Sequence, residues 1–274
     1  MVSNQDIVLE KQHGVTILTL NRPEKMNAIT YRMRDELNDI FSSVDRDDET
    51  KVLILTGAGE RAFCAGADSG ALADLAGDSS TQKAEGQTVR ESRWLAIRPV
   101  GHMALALYNL HKPVIGAING VAAGAGLSLA LLCDVRIASE NARFTVSNIK
   151  RGIIPDYGAT YYLPRLVGKA KALELMWSGD IIDAKEAERI GLVSKLVSKD
   201  RLMSEAKEFA YRLEQGPSVA IELTKWAVQK SLDNDFESQL DFETRAQARC
   251  NMTEDFQEGV QSLLEKREPR FQGR

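Results

Sequence analysis

Short apolar runs are spaced along the first two thirds of the chain. Residues 7–20 contain two strand-forming runs, and Gly14 between them supplies a turn. Residues 52–56 and 113–118 are apolar runs typical of strands in a sheet that is covered on both faces. The same reasoning predicts further strands at residues 135–138, 143–146 and 192–197.

Helical periodicity begins after Thr30, whose side chain suits the N-cap position of a helix. The apolar face of that helix would present Met33, Leu37, Ile40, Phe41 and Val44. Residues 69–90 predict a short helix and then a loop, and further helices are expected at about 91–110 and at 127–132. The last third predicts amphipathic helices at 169–178, 183–190, 201–214, 217–231, 235–249 and 254–266.

Strands joined by helices, followed by a mostly helical tail, predict an α/β fold. We place its core at residues 1–200 and a helical C-terminal module at residues 201–274, and we expect the module to pack on a neighbouring subunit. The length of 274 residues suits one large domain with such an appendage.

Charge and hydropathy exclude several classes of protein. A net charge of -4 argues against a nucleic-acid-binding surface. The chain has no apolar run near the ~20 residues needed to cross a bilayer, so no membrane association is expected. Its N-terminus lacks the pattern of a signal peptide, which makes a cytoplasmic protein the expectation.

Neither the cysteines nor the histidines have the spacing of a metal site, so we expect no bound metal. The cysteines read as buried thiols in a reducing compartment, and the histidines as ordinary surface or core residues. These six residues are Cys64, Cys133, Cys250, His13, His102 and His111.

Two segments rich in small residues follow predicted strands, at residues 63–68 and 118–127. Small side chains let a ligand approach the main chain, and amides at the start of a helix have no partners within it. Two such segments could form a two-amide oxyanion hole for a developing negative charge. The alternative is close packing of helix on strand, which also requires small residues.

The glycine-rich segment at 118–127 does not match three other well-known motifs. Gly126 is followed by Leu127 and Ser128 rather than the Lys-Ser/Thr of a phosphate-binding P-loop. The third glycine of a dinucleotide-binding fingerprint is absent at the proper spacing. Ser128 lacks the flanking glycines of a nucleophile elbow.

The segments at 20–28, 64–68 and 112–126 resemble successive signatures of the crotonase superfamily, the enoyl-CoA hydratases and isomerases. Later matches are Cys133-Asp134, Pro164-Arg165, Val167-Gly168, Gly191-Leu192-Val193, Glu258-Gly259 and Phe271. The resemblance runs nearly end to end and in order. It implies a ββα spiral core, a homotrimer or dimer of trimers, and an acyl-CoA thioester substrate, with no cofactor besides the coenzyme A of that substrate.

By this resemblance, the oxyanion-hole amides would be those of Ala67 and Ala125. The positions that it assigns to coenzyme A are Arg22, Lys25, Ala65, Asp68, Lys266 and Arg267. For the Lys and Arg residues the alternative is a solvated surface charge. For Asp68 the alternative is an N-cap of the following helix.

The chain departs from the hydratases at two positions. Relatives that add water to a double bond use two glutamates, and the resemblance places these at Ser128 and Asn148. Neither side chain titrates near neutral pH, so the usual two-glutamate mechanism is absent. Both residues are retained as candidate site residues.

Asp156 is the remaining acid/base candidate. It matches the position of a catalytic aspartate in dienoyl-CoA isomerases, and a similar Ile-Pro-Asp stretch occurs in the ring-epoxide isomerase of the phenylacetate pathway. The alternative role is an N-cap. We expect its neighbours Ile153, Ile154, Pro155 and Tyr157 to desolvate Asp156 and raise its pKa.

The sequence therefore favours an acyl-CoA double-bond isomerase that uses Asp156. An enoyl-CoA hydratase with a non-standard site and a non-catalytic acyl-CoA-binding protein stay open as alternatives.

Overall fold

The computed structural model describes residues 6–70, 73 and 98–274. Most of the segment predicted at 69–90, and the start of the helix predicted at 91–110, lie outside these residues.

The strands are β1 (Ile7–Gln12), β2 (Val15–Leu20), β3 (Val52–Gly57), β4 (Ala62–Cys64), β5 (Val114–Ile118), β6 (Val121–Ala123), β7 (Val135–Ser139), β8 (Arg143–Thr145), β9 (Ile182–Asp183) and β10 (Lys195–Val197). The α-helices are α1 (Tyr31–Arg46), α2 (Arg98–Tyr108), α3 (Ala125–Leu132), α4 (Ala159–Val167), α5 (Lys169–Ser178), α6 (Ala184–Arg189), α7 (Leu202–Glu214), α8 (Ser218–Lys230), α9 (Phe236–Cys250) and α10 (Glu254–Glu265). Short 3₁₀ helices cover Pro23–Lys25, Ser147–Arg151 and Lys199–Arg201.

Over the described residues the strands form two sheets. The larger has the order β1-β2-β3-β5-β7-β10, in which β1 is antiparallel to β2 and the other neighbours are parallel. The smaller has the order β4-β6-β8-β9, with β4, β6 and β8 parallel and β9 antiparallel to β8.

Strand β3 shows why the larger sheet is buried on both faces. Its alternate residues Leu53 and Leu55 belong to the main core, which includes the apolar face of α1. Val52 and Ile54 belong to a second core, which α7 covers with Leu202, Ala206 and Ala210. Because successive side chains of a strand point to opposite faces, a run without polar interruption is what this position requires.

A unit of two strands and a helix occurs three times along the chain, and each unit contributes one strand to each sheet. The successive units are β3-β4-α2, β5-β6-α3 and β7-β8-α4. This arrangement is the ββα spiral that the resemblance implies, and the predicted fold class is confirmed. Thr30 also caps α1 as predicted, since its hydroxyl accepts from the Met33 amide at 3.1 Å.

Several elements differ from the sequence expectation. Strands β4, β6 and β9 span two or three residues, too short to show an alternating pattern. Helix α4 was not predicted, since Pro164 lies inside it and proline normally ends a helix. The strand expected at 192–197 is confined to Lys195–Val197, because the backbone bends at residues 192 and 194.

The C-terminal helices differ in their relation to the core. Helix α7 packs on the larger sheet, while α8 and α9 have no fully buried residue. Lys225 ties α8 to the core, since its Nζ lies 2.8 Å from Asp134 Oδ2 and donates to the Lys112 carbonyl at 2.8 Å. The predicted domain boundary at residue 200 stays a prediction. No described helix is long and apolar enough to cross a bilayer.

Candidate active site

The residues singled out as chemical candidates follow three neighbouring strands of the smaller sheet. Ala67 comes shortly after β4, Ala125 after β6 and Asp156 after β8. Because β4, β6 and β8 are parallel and adjacent, the segments that follow them leave from the same edge of the sheet. Ligands of α/β folds commonly bind at such an edge.

The two glycine-rich segments are in direct contact. A Cβ on Gly126 would lie 2.1 Å from the carbonyl oxygen of Cys64, so only glycine allows α3 to start there. Gly66 has φ +103°, and a Cβ on it would lie 2.9 Å from the carbonyl oxygen of Ala123 and 3.6 Å from the amide nitrogen of Ala125. The small residues thus serve close packing and also bring the segment of Ala67 beside the start of α3.

The amide of Ala67 is left free by the bonds on either side of it. The Ile29 amide donates to the Gly66 carbonyl at 2.8 Å, and the Asp68 amide donates to the Ile29 carbonyl at 2.9 Å. Ala125 is the first residue of α3, where an amide has no partner within the helix. Among the residues that the structure describes, neither amide has a hydrogen-bond acceptor.

Ser128 and Asn148 lie near this amide pair in different ways. Ser128 is buried, and its hydroxyl donates to the Gly124 carbonyl at 3.2 Å within its own helix. Asn148 is also buried, and its Oδ1 lies 3.7 Å from where a Cβ on Gly124 would be. Asn148 donates to the Ile154 carbonyl at 3.4 Å, and its side chain partly offsets the burial that raises the pKa of Asp156. Asn148 therefore links the start of α3 to the turn that carries Asp156.

Asp156 is half-buried, and burial is the main cause that raises the pKa of its carboxyl. Its Oδ1 is buried and has no hydrogen-bond partner among the described residues. The N-cap of α4 is Gly158, and only the backbone carbonyl of Asp156 bonds to that helix, accepting from the Ala159 amide at 3.0 Å. The carboxylate is therefore not used as a helix cap.

The expectation for the neighbours of Asp156 needs correction. Ile153 and Ile154 are 44% and 74% exposed, so these two side chains do not form its apolar surroundings. Tyr157 is half-buried with φ +48°, a conformation that bulky residues rarely adopt. Burial raises the pKa of Tyr157 to about 12, with a further contribution from Asp156. Such strain is common at functional sites.

Arg22 and Asp68 form an ion pair next to Ala67. Arg22 Nη1 donates to Asp68 Oδ2 at 2.9 Å and to the Ala28 carbonyl at 2.8 Å. The Gly70 amide donates to Asp68 Oδ1 at 2.9 Å; this bond and the Arg22 guanidinium lower the pKa of Asp68. Asp68 thus accepts from the backbone two residues further on, as its alternative role of N-cap requires, and it also holds Arg22.

The other residues assigned to coenzyme A fall into two groups. Lys25 is exposed and contributes to the lowered pKa of Asp68, and the Ala65 amide donates to the Met26 carbonyl at 3.0 Å. Lys266 ends α10, and Arg267 pairs with Glu258 and Glu265, each at 2.6 Å. Within the described residues, no hydrogen bond or ion pair joins Lys266 or Arg267 to the segments of Ala67 and Ala125, and no cluster of His, Cys, Asp or Glu side chains could hold a metal ion.

Comparison with known proteins agrees with this arrangement. The family model described as enoyl-CoA hydratase/isomerase matches residues 10–274. The chain belongs to this family. The crotonase resemblance seen in the sequence is thereby confirmed.

Relatives within the family have more than one named activity. The chain is 37% identical over 262 residues to a short-chain-enoyl-CoA hydratase of Clostridium acetobutylicum, covering 96% of this chain and 95% of the relative. It is 38% identical over 269 residues to the 1,2-epoxyphenylacetyl-CoA isomerase of Escherichia coli, covering 98% of each. The crystal structure of a putative enoyl-CoA hydratase from Streptomyces coelicolor matches with a TM-score of 0.88 and 35% identity, over 100% of this chain and 96% of that one.

Proposed function

We propose that this family member is an enoyl-CoA isomerase that moves a double bond by proton transfer through Asp156. The observation that supports this proposal is the buried, unpartnered Oδ1 of Asp156 on a turn beside the two free amides. A buried polar atom without a partner is unusual, and a substrate C–H group would lie against it.

The thioester oxygen would accept hydrogen bonds from the amides of Ala67 and Ala125. Asp156 would remove a proton from the carbon between the carbonyl and the double bond, and the negative charge would move to the thioester oxygen. The carboxylic acid would then return the proton two carbons further along. Each amide donor of this kind lowers the barrier by roughly 3–4 kcal/mol.

Burial of Asp156 favours this chemistry. A carboxylate is a weak base in water, and raising its pKa brings its basicity closer to that needed to remove a carbon-bound proton. Asn148 opposes the shift in part, because its side chain favours the charged form of the carboxyl.

A hydratase is the second candidate, because the Clostridium acetobutylicum relative is named as one. Hydration needs a base for water and an acid for the α-carbon. Ser128 is bonded to its own helix and Asn148 does not titrate, so Asp156 would have to act alone.

Ultraviolet spectroscopy of two substrates distinguishes these functions. With a 3-enoyl-CoA, isomerisation creates the conjugated 2-enoyl thioester and absorbance rises. With crotonyl-CoA, hydration removes the conjugation and absorbance falls. We expect the rise with the first substrate and no fall with the second.

Asp156→Asn tests the assigned residue. Loss of a general base lowers turnover by about 10²–10⁴-fold, while affinity for a saturated acyl-CoA should change little. Asp180→Asn, at an exposed aspartate, is the matched control. Unchanged turnover in Asp156→Asn contradicts the mechanism, and an absorbance fall with crotonyl-CoA contradicts the choice of isomerase.

We also propose a homotrimer or dimer of trimers, formed through the C-terminal helices. Large apolar side chains of this region are exposed in the single chain: Val228, Leu232, Phe236, Leu240, Met252, Phe256, Val260, Leu263 and Leu264. Exposed apolar surface of this extent is typical of subunit interfaces. Light scattering during size-exclusion chromatography gives the mass, and a monomer contradicts the proposal.

The roles of Arg22, Lys25, Lys266 and Arg267 in binding coenzyme A stay proposals of the same kind, as does the absence of a further cofactor. The cytoplasmic location stays a prediction. If these cations bind the phosphates, raising the salt concentration should weaken acyl-CoA binding.

A further inference from the structure

Arg136 is a buried cation at the far end of the helix that begins with Ala125. It lies on β7 and is 4% exposed. Its Nη1 donates to the Cys133 carbonyl at 2.5 Å and lies 3.4 Å and 3.5 Å from the carbonyls of Leu131 and Ala130. Its Nε donates to the Leu192 carbonyl at 2.7 Å.

The end of α3 needs such a donor. All residues of α3 are buried, so water does not reach its last carbonyl groups. The Cys133 amide donates to the Ala130 carbonyl at 3.3 Å, and Arg136 donates to the carbonyls of Leu131 and Cys133. The helix has no basic residue in its own last turn. The partial negative charge at this end is therefore met by a guanidinium from a different strand.

Helix electrostatics also explain why the cation is tolerated there. Burial disfavours a charged guanidinium. Within the described part of the chain, Arg136 forms no ion pair with a carboxylate, and its bonds go to backbone carbonyls. The C-terminal end of α3 supplies the compensating partial charge.

The same helix would present the amide of Ala125 to the substrate at its other end. Eight residues place the two ends about 12 Å apart. Apart from Ser128, which bonds within its own helix, the side chains of α3 are apolar, so beyond the close contact at Gly126 they do not fix its rotation or its position along its axis by directional bonds. Directional bonds at its ends do so, and Arg136 joins the last turn to Leu192 in a separate segment.

We propose that Arg136 is a positioning residue for the oxyanion hole, which holds the C-terminal end of α3 so that the amide of Ala125 stays aimed at the enolate oxygen. This inference rests on the proposed function, because it presumes that the amide binds an enolate.

Lys112 provides a matched control. It is 7% exposed and caps the end of a different helix, α1, where its Nζ donates to the carbonyls of Val44 at 2.7 Å and Asp47 at 2.5 Å. Lys112→Met therefore removes a buried cation from a helix end without touching α3.

The experiment compares Arg136→Met, Arg136→Lys and Lys112→Met with the wild type. Acetoacetyl-CoA is the probe, because its enolate absorbs in the ultraviolet and reports stabilisation by the oxyanion hole. Affinity for butyryl-CoA reports ground-state binding, and thermal melting reports the fold. We expect Arg136→Met to lower the enolate fraction and kcat by about tenfold, with butyryl-CoA affinity nearly unchanged.

Arg136→Lys should fall between Arg136→Met and the wild type, since it keeps the charge but loses the fork of donors. Lys112→Met should melt earlier yet enolise the probe normally. A folded Arg136→Met protein with wild-type enolisation overturns the proposal. If Arg136→Met does not fold, wild-type enolisation by Arg136→Lys overturns it instead. If the wild type binds acetoacetyl-CoA without promoting its enolate, the proposed function itself fails, whatever the variants do.

Discussion

The two parts of the site are built differently. The amide segments, residues 64–67 and 123–126, are locked by contacts that leave no room for a side chain at Gly66 or Gly126. The acid segment, residues 147–157, is a 3₁₀ turn and a loop with exposed isoleucines, in which Asn148 is buried.

The two segments differ in how firmly they are held, and this suggests separate roles in the proposed reaction. Stabilising an enolate needs amides that do not move; close backbone packing holds the start of α3, and in our proposal Arg136 holds its other end. Placing a proton donor needs only one carboxyl at a suitable point, and the more open acid segment can supply it from different residues. We infer that the first part is common to the chemistry of the fold and the second part selects the reaction.

The largest expected effect comes from filling the contact between the amide segments. In Gly126→Ala the new methyl group would overlap the Cys64 carbonyl, so α3 must shift and the amide of Ala125 with it. Loss of an oxyanion donor lowers kcat by about 10²–10³-fold. Steady-state kinetics together with thermal melting measure the effect.

Gly259→Ala is its control. A Cβ on this helical glycine would meet Phe271 at an ordinary 3.7 Å, so kcat should be unchanged and stability equal or higher by up to ~1 kcal/mol. If Gly126→Ala and Gly259→Ala have equal kcat values, the close contact at Gly126 does not hold the amide of Ala125 in place.

The next effect concerns the acid segment. Asn148→Ala removes the side chain that favours the charged form of Asp156, so the pKa of Asp156 should rise further. We expect kcat at neutral pH to fall by about tenfold, the equivalent of one hydrogen bond. Asn148→Asp places a like charge beside Asp156 and should raise the pKa of Asp156 further than Asn148→Ala does.

The pH dependence of kcat tests the direction of this pKa change. The base form of Asp156 is required, so kcat should fall as the pH drops through its raised pKa, and Asn148→Ala should move that limb to higher pH. A limb that stays in place would show that Asn148 does not act on Asp156.

A smaller effect is expected on stability. The folded pKa of Asp156 is raised, so its stabilising contribution is complete below the unfolded pKa and is lost as the pH rises through the folded value. Asp156→Asn should therefore melt a few degrees higher than the wild type at pH 7. The difference should vanish in acid, and equal melting temperatures at pH 7 would argue against the burial of this carboxyl.

The smallest effect is expected from Arg22→Met. This change removes the ion pair that joins the first signature to Asp68 and should cost about 1 kcal/mol of unfolding free energy. Urea denaturation measures it. A strong loss of acyl-CoA affinity beyond this would show that Arg22 also contacts the ligand.

Sequence patterns predicted the larger sheet well, because strands such as β3 are buried on both faces and have no polar interruption. Of the smaller sheet only β8 was predicted, at residues 143–146, since β4, β6 and β9 are too short for a pattern. In the candidate site, Ala67, Ala125 and Asp156 were predicted from the glycine-rich segments and the family resemblance, and their catalytic roles stay predictions. The left-handed backbone at Tyr157 gave no sequence signal, because an aromatic residue is disfavoured there.

Arg136 was missed for a related reason. On a strand, one arginine among apolar residues is indistinguishable from a surface charge. Its role depends on the carbonyls of Leu131 and Cys133, which only the folded chain brings to it.

The three successive ββα turns have a consequence for biosynthesis. Each turn contributes one chemical group, Ala67 from the first, Ala125 from the second and Asp156 from the third. A nascent chain emerging from the ribosome can thus pack its first two turns with both amides in place before any acid is present. During translation the proposed thioester-binding part of the site is completed first, and the proposed acid is added last.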